Sequence, residues 1–544
     1  MIDELGIGIR MSDGVEVSVR IYRPDGDGPF PTLFAASPYR YDNDDVPETT
    51  VFFWHEVGPI HWYVGRGYAY VHLDVRGSGR SGGEYGFFNR RERRDLYEVI
   101  EWIAAQPWSN GKVGGIGQSY YCAAQWCMAA EAPPALACVG AYDGHIDYYR
   151  GWFYNGGISS NFSTVWWNGS VRLANRSPVN GEYPRDIPYD LPHDLSRHPL
   201  IDEFWDDRSL DADLAKSEVP VYSIGAWVKR DLHLDGNVRG WQLMRGPKKL
   251  RFSAAQTLPQ TLGEFASIAF HESVLAPFYD HYLKGEATDY PSRPAVEFPI
   301  GGGGGVGTAG AWPPETVRTE TLHLTAEPSG SVISLNDGSL APTPDASAPT
   351  SYFYPDKEWA VGPVSFRNGA PDPVARVVTF TSAPLPEPLT LAGAPELVLH
   401  LSSTRTDANV IAKLSEQMLQ TADARTAGRQ PDFRVVSKGW LRASHRKLDE
   451  AGSIAGEPYH DHRVAEPLVP GEVYELRIGM TNLAHRFAAG SRIRLELCCA
   501  DSTITDLQFT HAYSPDMIGT DSFHHDAAHP SRLILPVLDG SVAK

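Results

Sequence analysis

The first third of the chain alternates between apolar runs and amphipathic segments, most of them separated by turns rich in glycine or proline. Residues 15–22 alternate apolar and polar side chains as a half-buried strand does, and residues 31–36 and 68–75 are apolar runs typical of buried strands. Residues 90–105 then place apolar side chains at helical spacing. Strand, helix and strand in this order predict an α/β domain with a parallel sheet.

A strand, a sharp turn and a helical segment follow one another around Ser119. Residues 112–116 form the strand and lead through Gly117 into the serine. This context presents a serine hydroxyl as a nucleophile, and the glycine is needed because the turn leaves no room for a side chain. The backbone N–H of Tyr120 would form half of an oxyanion hole. The hydroxyl of Tyr39, at the exit of a central strand, could supply the second donor.

The middle and the end of the chain have different patterns. Residues 152–210 are rich in Trp, Tyr, Asn and Pro with weak periodicity, which is typical of an inserted segment that lines a substrate site. Residues 219–224 return to a strand pattern, and residues 301–305 are five consecutive glycines. From residue 321 onward, short alternating runs recur between turns. These runs predict an all-β domain of the sandwich kind at the carboxyl end.

Composition limits the function classes. The 544 residues carry a net charge of −19, which argues against nucleic acid or an anionic membrane as a partner. The five cysteines lack metal-ligand spacing and no dinucleotide-binding motif is found, so we expect no metal and no organic cofactor. The amino terminus has neither the basic nor the apolar region of a signal peptide, so we expect a cytoplasmic protein. A homodimer through the β domain remains open.

Several short motifs, taken together, resemble one family. The motifs are Ser37-Pro38-Tyr39, Asp74-Val75-Arg76-Gly77-Ser78-Gly79, Gln106-Pro107-Trp108, Gly117-Gln118-Ser119-Tyr120 and, near the carboxyl end, Gly439-Trp440-Leu441-Arg442-Ala443-Ser444-His445-Arg446. On these residues the chain resembles the cocaine esterase and X-Pro dipeptidyl-peptidase family of α/β hydrolases, over nearly its whole length. One departure is Cys122, which stands where the family's Gly-x-Ser-Tyr-x-Gly motif ends in glycine.

The resemblance implies an activity and an architecture. The activity is hydrolysis of an ester or amide acyl group through the elbow serine, here Ser119. The architecture is an α/β-hydrolase domain with an inserted helical cap, followed by a C-terminal all-β jelly roll. The expected boundaries are residues 1–144 and 216–300 for the α/β-hydrolase core, 145–215 for the cap and 301–544 for the jelly roll.

The family's other two catalytic residues are not at their expected positions. The family carries its aspartate two residues after the tryptophan of a Gly-x-Trp-x-Asp segment, and here the residue two after Trp227 is Lys229. The family's histidine follows the next strand, where this chain has Thr257. A serine hydroxyl needs a base, usually a histidine oriented by a carboxylate, so another group is expected to supply it.

Other residues near these positions are candidate replacements. Asp231 is the nearest carboxylate, and His233 could reach the site from the start of a helix, although packing or capping is the commoner role of such a histidine. Lys229 could act as a base in a dry pocket, hold an anionic substrate, or be a solvated loop residue. The candidate catalytic residues are Ser119, Tyr39, Tyr120, Asp231 and His233, and the candidate substrate contacts are Lys229, Trp227, His145 and Trp166.

Three function classes remain open from the sequence. The first is a serine hydrolase with a displaced base, acting on a small, apolar or aromatic substrate. The second is a non-hydrolytic enzyme, such as a lyase, cyclase, isomerase or acyl transferase, that uses the oxyanion pocket. The third is a non-catalytic binding protein. The first two separate on whether the serine is ever acylated, and the third separates from both on whether any ligand is turned over.

Overall fold

The computed structural model divides into two compact units. The first contains Met1–Trp152, Phe162–His198 and Glu203–Glu297, and the second contains Phe153–Asn161, Pro199–Asp202 and Phe298–Lys544. The structure describes residues 1–42, 56–176, 186–359, 366–367, 370–371, 374–427, 429–454, 456–502, 506, 509–511 and 513–539.

A mostly parallel sheet forms the centre of the first unit. With strands numbered in chain order through the whole protein, its members are β1 (Ile2–Arg10), β2 (Glu16–Arg23), β3 (Phe30–Ser37), β4 (Ala69–Asp74), β5 (Ser109–Gln118), β6 (Leu136–Tyr142), β9 (Val221–Ala226), β10 (Lys248–Ser253) and the start of β11 (Val296–Ile300). They pair in the order β1-β2-β4-β3-β5-β6-β9-β10-β11. Pairing is antiparallel from β1 to β4 and parallel from there on.

Helices of the first unit pack on this sheet and follow its strands. They are α1 (Ile60–Gly65), α2 (Arg90–Ala104), α3 (Tyr120–Glu131), α4 (Phe162–Trp166), α5 (Arg172–Arg176), α6 (Leu191–Arg197), α7 (Glu203–Asp206), α8 (Asp211–Leu214), α9 (Leu234–Leu243), α10 (Leu258–Ala266), α11 (Ile268–Phe270) and α12 (Ala276–Tyr279). Short π-helical or 3₁₀ turns lie at Tyr149–Phe153, Trp167–Val171, Trp227–Lys229, His271–Leu275, Asp280–Lys284 and Tyr290–Ser292. Asn89 caps α2, because its side chain accepts a bond of 2.9 Å from the Glu92 amide.

The second unit is rich in β-strands. They are β7 (Tyr154–Asn155), β8 (Ile158–Ser159), β12 (Gly305–Ala309), β13 (Val317–Thr325), β14 (Gly338–Ala341), β15 (Thr350–Tyr354), β16 (Phe366–Arg367), β17 (Ala370–Pro371), β18 (Val378–Ser382), β19 (Leu389–Gly393), β20 (Glu396–Ser403), β21 (Asn409–Gln417), β22 (Phe433–Arg442), β23 (Tyr474–Gly479), β24 (Leu483–Phe487), β25 (Arg492–Cys498), β26 (Gly519–His524) and β27 (Arg532–Leu538), with one helix, α13 (Ala422–Thr426), and 3₁₀ turns at Ala443–His445 and Pro515–Met517, among the residues described. Alternate residues of β20 and β25, including Leu397, Leu399, Leu401, Leu495 and Leu497, are fully buried in one apolar core. The predicted β-rich carboxyl-terminal domain is therefore confirmed.

The predicted α/β domain is confirmed as well, and its topology decides where chemistry can occur. All residues of β4 and β9 are buried, as in central strands that are covered on both faces. Ligands bind such sheets outside the carboxyl ends of the parallel strands. None of the helices in the described part of the chain is long and apolar enough to cross a membrane.

Candidate active site

The turn between β5 and α3 holds Ser119 in a strained conformation. Its backbone has φ 62° and ψ −116°, in the positive-φ region that non-glycine residues rarely adopt. Gly117, two residues earlier, has φ 131°, and a Cβ there would lie 2.3 Å from the Cβ of Tyr121. The Ser119 amide donates to the carbonyl of Asp143 at 3.0 Å, which ties the turn to the end of β6. Ser119 is partly exposed, whereas the residues on either side of it in the chain are buried.

His233 brings an imidazole to the serine hydroxyl. The residue immediately precedes α9, and its Nε2 lies 3.3 Å from Ser119 Oγ. The second ring nitrogen, Nδ1, lies 3.2 Å from the indole Nε1 of Trp152. His233 is only 1% exposed, so both contacts are shielded from solvent.

The indole decides which nitrogen of His233 carries the proton. An indole N–H can only donate, so Nδ1 of His233 must accept the bond from Trp152 and carries no proton. Burial, together with the charges of Lys229 and His145, holds the pKa of His233 well below 6.5, so the ring is neutral. A neutral imidazole has one N–H, which must therefore be on Nε2 and donate to Ser119 Oγ. In the common serine triad Nε2 is instead an acceptor, because the ring proton stays on Nδ1 and Nδ1–H donates a hydrogen bond to a carboxylate.

A buried carboxyl lies on another side of the serine. Glu56 is 4% exposed, and its carbonyl oxygen accepts a 2.8 Å bond from the amide of Gln118, which fixes its backbone beside the elbow. Burial raises the pKa of Glu56 to about 8, against the opposing effects of the Lys229 charge and of a hydrogen bond with Ser119. The other carboxyl oxygen, Oε2, is buried and has no hydrogen-bond partner.

Lys229 and Asp143 form a buried ion pair in the same region. Lys229 lies in the turn after β9, and its Nζ is 3.6 Å from Oδ2 of Asp143, which follows β6. The Gln118 side chain donates to the same carboxylate oxygen at 3.2 Å. Burial raises the pKa of Asp143, while Lys229 and Gln118 oppose that rise. Two buried carboxyls thus share one ammonium group, so one carboxyl favours its protonated form near neutral pH.

Hydroxyl and amide donors also face this region. The Trp166 indole donates to the Tyr39 hydroxyl at 2.7 Å, and burial raises the pKa of Tyr39 well above 10. The phenol therefore stays protonated and can donate. Tyr120 is the first residue of α3, where the helix dipole favours negative charge. Its hydroxyl donates to Glu92 at 2.7 Å, so its side chain contributes to packing while its amide lies next to the serine.

Three other residues singled out in the sequence, His145, Trp227 and Asp231, also belong to the first unit. His145 is buried; its Nδ1 accepts from the Asp147 amide at 2.9 Å and burial lowers its pKa to about 4. Trp227 stacks on Phe252, with ring centroids 4.1 Å apart. Asp231, partly buried, lies two residues after Lys229 and next to Arg230, whose charge it partly balances.

Sequence reasoning missed two groups of this site and the contact made by a third. Glu56 and Asp143 were not identified, because neither belongs to a motif and each reaches the serine only through the fold. Trp152 is the first residue of the aromatic segment singled out at residues 152–210, but its bond to His233 was not predicted. One available signal was the exit of β6: the residue after a central parallel strand lies at the same sheet edge as the elbow.

Known proteins resemble both parts of the chain. The family model of the X-Pro dipeptidyl-peptidase (S15 family) matches residues 13–256, and that of the X-Pro dipeptidyl-peptidase C-terminal non-catalytic domain matches residues 293–534. The cocaine esterase of Rhodococcus sp. (strain MB1 Bresler) is 24% identical, with 97% of each chain covered. A CocE/NonD family hydrolase from Staphylococcus aureus superimposes with a TM-score of 0.81 at 25% identity, over 99% of this chain and 94% of that one.

A further solved structure supports the fold. An α-amino acid ester hydrolase superimposes with a TM-score of 0.72 at 20% identity, over 98% of this chain and 96% of that one. The predicted α/β-hydrolase fold is thus confirmed, and the family comprises serine esterases and peptidases. The chain belongs to the family of α/β hydrolases that includes cocaine esterase and the X-Pro dipeptidyl-peptidases.

Proposed function

We propose that the protein hydrolyses an ester or amide bond of a small molecule through an acyl intermediate on Ser119. The observation that carries the proposal is the strained, partly exposed serine whose Oγ lies 3.3 Å from His233 Nε2. In this role the Tyr39 hydroxyl and the Tyr120 amide stabilise the negative charge that develops on the substrate oxygen. The relative named cocaine esterase favours an ester as the substrate.

The surroundings of the serine favour an apolar or aromatic acyl group. The rings of Trp152 and Trp166 lie 6.1 Å apart, and the Trp166 ring is 6.0 Å from that of Tyr120 and parallel to it within 20°. Phe162 also stacks on Trp166, with ring centroids 5.8 Å apart. Such aromatic surfaces bind apolar and ring-bearing ligands well, because they offer large contact areas at little cost in side-chain entropy.

Covalent labelling tests the proposal directly. The protein is treated with a fluorophosphonate and, separately, with an activated aryl ester, and the intact mass and the release of the aryl alcohol are followed. We expect one phosphonyl adduct on the wild type and none on Ser119→Ala, whose ester turnover falls by about 10³-fold or more. Ser163→Ala is the matched control, since this serine is also partly buried but lies within the regular helix α4.

Two results would contradict the proposal. An adduct that persists in Ser119→Ala would mean that a different residue is the nucleophile. A wild-type protein that forms no adduct and turns over no ester between pH 6 and pH 10 would exclude serine hydrolysis. In that case, the non-hydrolytic and binding alternatives would be tested next by comparing ligand binding to the wild type and to Tyr39→Phe.

A further inference from the structure

Two of the polar groups near the Ser119 hydroxyl are candidate bases and differ in what they can accept, whereas the nearby phenol of Tyr39 stays protonated. On one side is Nε2 of His233, at 3.3 Å. On the other is Glu56, which is buried, whose backbone carbonyl accepts a 2.8 Å bond from the amide of Gln118, one residue before the serine, and whose carboxyl pKa the Ser119 hydroxyl lowers. A nucleophilic hydroxyl must lose its proton to one of its neighbours, so the hydrogen-bonding state of each neighbour decides which one can take it.

His233 cannot accept a proton on the side that faces the serine. Its Nδ1 is already an acceptor for the Trp152 indole, at 3.2 Å, so the single proton of the neutral ring is on Nε2. Moving that proton to Nδ1 would set two N–H groups against each other in a buried place. The ring would then lose one hydrogen bond and leave two donors unsatisfied, at a cost of about 1–3 kcal/mol for each buried group.

Glu56 has the opposite character, since an ionised carboxylate only accepts. Its side chain is buried beside the elbow, and Oε2 has no hydrogen-bond partner. The ammonium group of Lys229 is close enough to favour the ionised carboxylate, whereas the carboxyl of Asp143 disfavours it. The tyrosine hydroxyl of Tyr39 is also within electrostatic reach of this carboxyl.

We propose that Glu56, rather than His233, accepts the proton of Ser119, and that Trp152 is a positioning residue that keeps His233 a hydrogen-bond donor. This inference rests on the proposed function, because it names the base for the same serine. It also explains how a chain with Lys229 and Thr257 at the family's acid and histidine positions can still activate its serine.

The carboxylate of Glu56 can carry out every proton transfer that the reaction needs. As Ser119 Oγ bonds to the carbonyl carbon, its proton passes to Glu56 and the carbonyl π electrons move to oxygen. When the bond to the leaving group breaks, Glu56 returns the proton to the departing alkoxide. Water then attacks the acyl group and gives a proton to Glu56, which passes it to Ser119 Oγ as the acid product leaves. The Nε2–H of His233 donates to Oγ and stabilises the negative charge that develops there while the bond between Oγ and the acyl carbon forms and breaks.

Three variants distinguish the two bases. Glu56→Gln keeps the shape of the side chain and cannot take up the proton. His233→Gln can keep both hydrogen bonds, because its amide donates to Ser119 and accepts from Trp152. Glu92→Gln is the matched control, as Glu92 is another buried glutamate of the same unit with a raised pKa, about 7. The readout is the second-order rate of fluorophosphonate labelling from pH 5 to pH 10, with thermal unfolding to check each fold.

We expect Glu56→Gln to slow labelling by about 10²–10⁴-fold, whereas His233→Gln slows it by about tenfold or less and Glu92→Gln by less than about threefold. In the wild type, the labelling rate should rise tenfold per pH unit and level off above about pH 8, where Glu56 is ionised. A histidine base with its low pKa would instead give a rate that is already level by pH 6.5.

The outcomes separate the inference from the proposed function. Labelling of the wild type that is lost in His233→Gln but kept within threefold in Glu56→Gln would overturn the inference and leave the function intact. A wild-type protein that never labels would overturn the function itself. If Glu56→Gln fails to fold, the pH dependence of the wild-type labelling rate decides. A rate that is level from pH 6.5 to pH 9 refutes Glu56 as the base. A rate that rises up to about pH 8 in both the wild type and Glu92→Gln supports it.

Discussion

Replacing Lys229 with methionine tests whether the buried charges near Ser119 stabilise one another. Lys229 Nζ lies 3.6 Å from Asp143 Oδ2, and the two side chains are 6% and 0% exposed. At this separation two unit charges attract by about 5 kcal/mol at an effective dielectric constant of ~20. Removal of one partner from a buried pair costs about 3–5 kcal/mol, because the other charge is left unpaired. We expect Lys229→Met to lose about that much stability at pH 8.

The loss should depend on pH, because the remaining carboxyls can take up protons. Burial raises the pKa of Asp143 and of Glu56, and Lys229 lowers both, so its removal raises both further. A carboxyl whose folded-state pKa lies above its unfolded value, about 4, reduces stability increasingly as the pH rises from that value toward the folded-state pKa. The deficit of Lys229→Met should therefore be larger at pH 8 than at pH 5.

Calorimetric unfolding at both pH values measures this effect. For a domain of this size, a loss of 3–5 kcal/mol lowers the midpoint of the transition by roughly 10 °C. The matched control is Lys216→Met, because Lys216 pairs with Asp213 at 3.7 Å but the side chains are 74% and 44% exposed. An exposed pair of this kind contributes about 0–1 kcal/mol, so its midpoint should move by less than about 3 °C.

The reasoning would be refuted if Lys229→Met melted within about 2 °C of Lys216→Met at pH 8. It would also be refuted if the deficit were the same at pH 5 and pH 8. A kinetic consequence accompanies the stability change. Without the ammonium group the pKa of Glu56 rises, so the pH at which the labelling rate levels off should also rise.

Three further predictions concern other parts of the first unit. Tyr39→Phe should lower kcat/KM for an aryl ester by about 10²–10³-fold through kcat; an unchanged kcat would exclude the phenol as an oxyanion donor. Gly117→Ala should cost about 3 kcal/mol or more, because its Cβ would lie 2.3 Å from that of Tyr121 at φ 131°; a wild-type melting curve would contradict this. Arg76→Met should cost about 1–3 kcal/mol in urea unfolding, since its two bonds to buried Asp95, at 2.6 and 2.8 Å, are lost while Arg91 still pairs with that carboxylate; a change below about 0.5 kcal/mol would contradict it.

The elements that the sequence predicted well are those whose signal is local. The strand before Gly117, the turn at Ser119 and the helix after it are neighbours in the chain, and their spacing carries the whole pattern. The helix starts at Tyr120, directly after the serine, because the turn leads straight into the first helical residue. The amphipathic segment predicted at residues 90–105 is likewise α2, since its apolar spacing is a property of the segment itself.

The site beyond the elbow could not be read in the same way, because its parts meet only in three dimensions. Glu56 precedes Ser119 by many residues and approaches it through the bond between its own carbonyl and the Gln118 amide. From the sequence, Asp231 was the nearest carboxylate to the vacant acid position, and His233 was a candidate for which packing or capping was the commoner role. Only the structure distinguishes them, since it brings the imidazole of His233 to the serine and fills its second nitrogen with the Trp152 indole.

The change at Lys229 links these observations into one physical account. A positive charge at this position disfavours protonation of His233, so it opposes the imidazolium that a histidine base would have to form. The same charge favours the ionised form of Glu56 and so increases its availability as an acceptor. The lysine that stands after β9, at the position of the family's aspartate, therefore weakens His233 as a base and strengthens Glu56 as a base. On this account Lys229, Glu56 and Trp152 are interdependent, and Lys229→Met should slow the labelling of Ser119 at pH 7 even if His233 is intact.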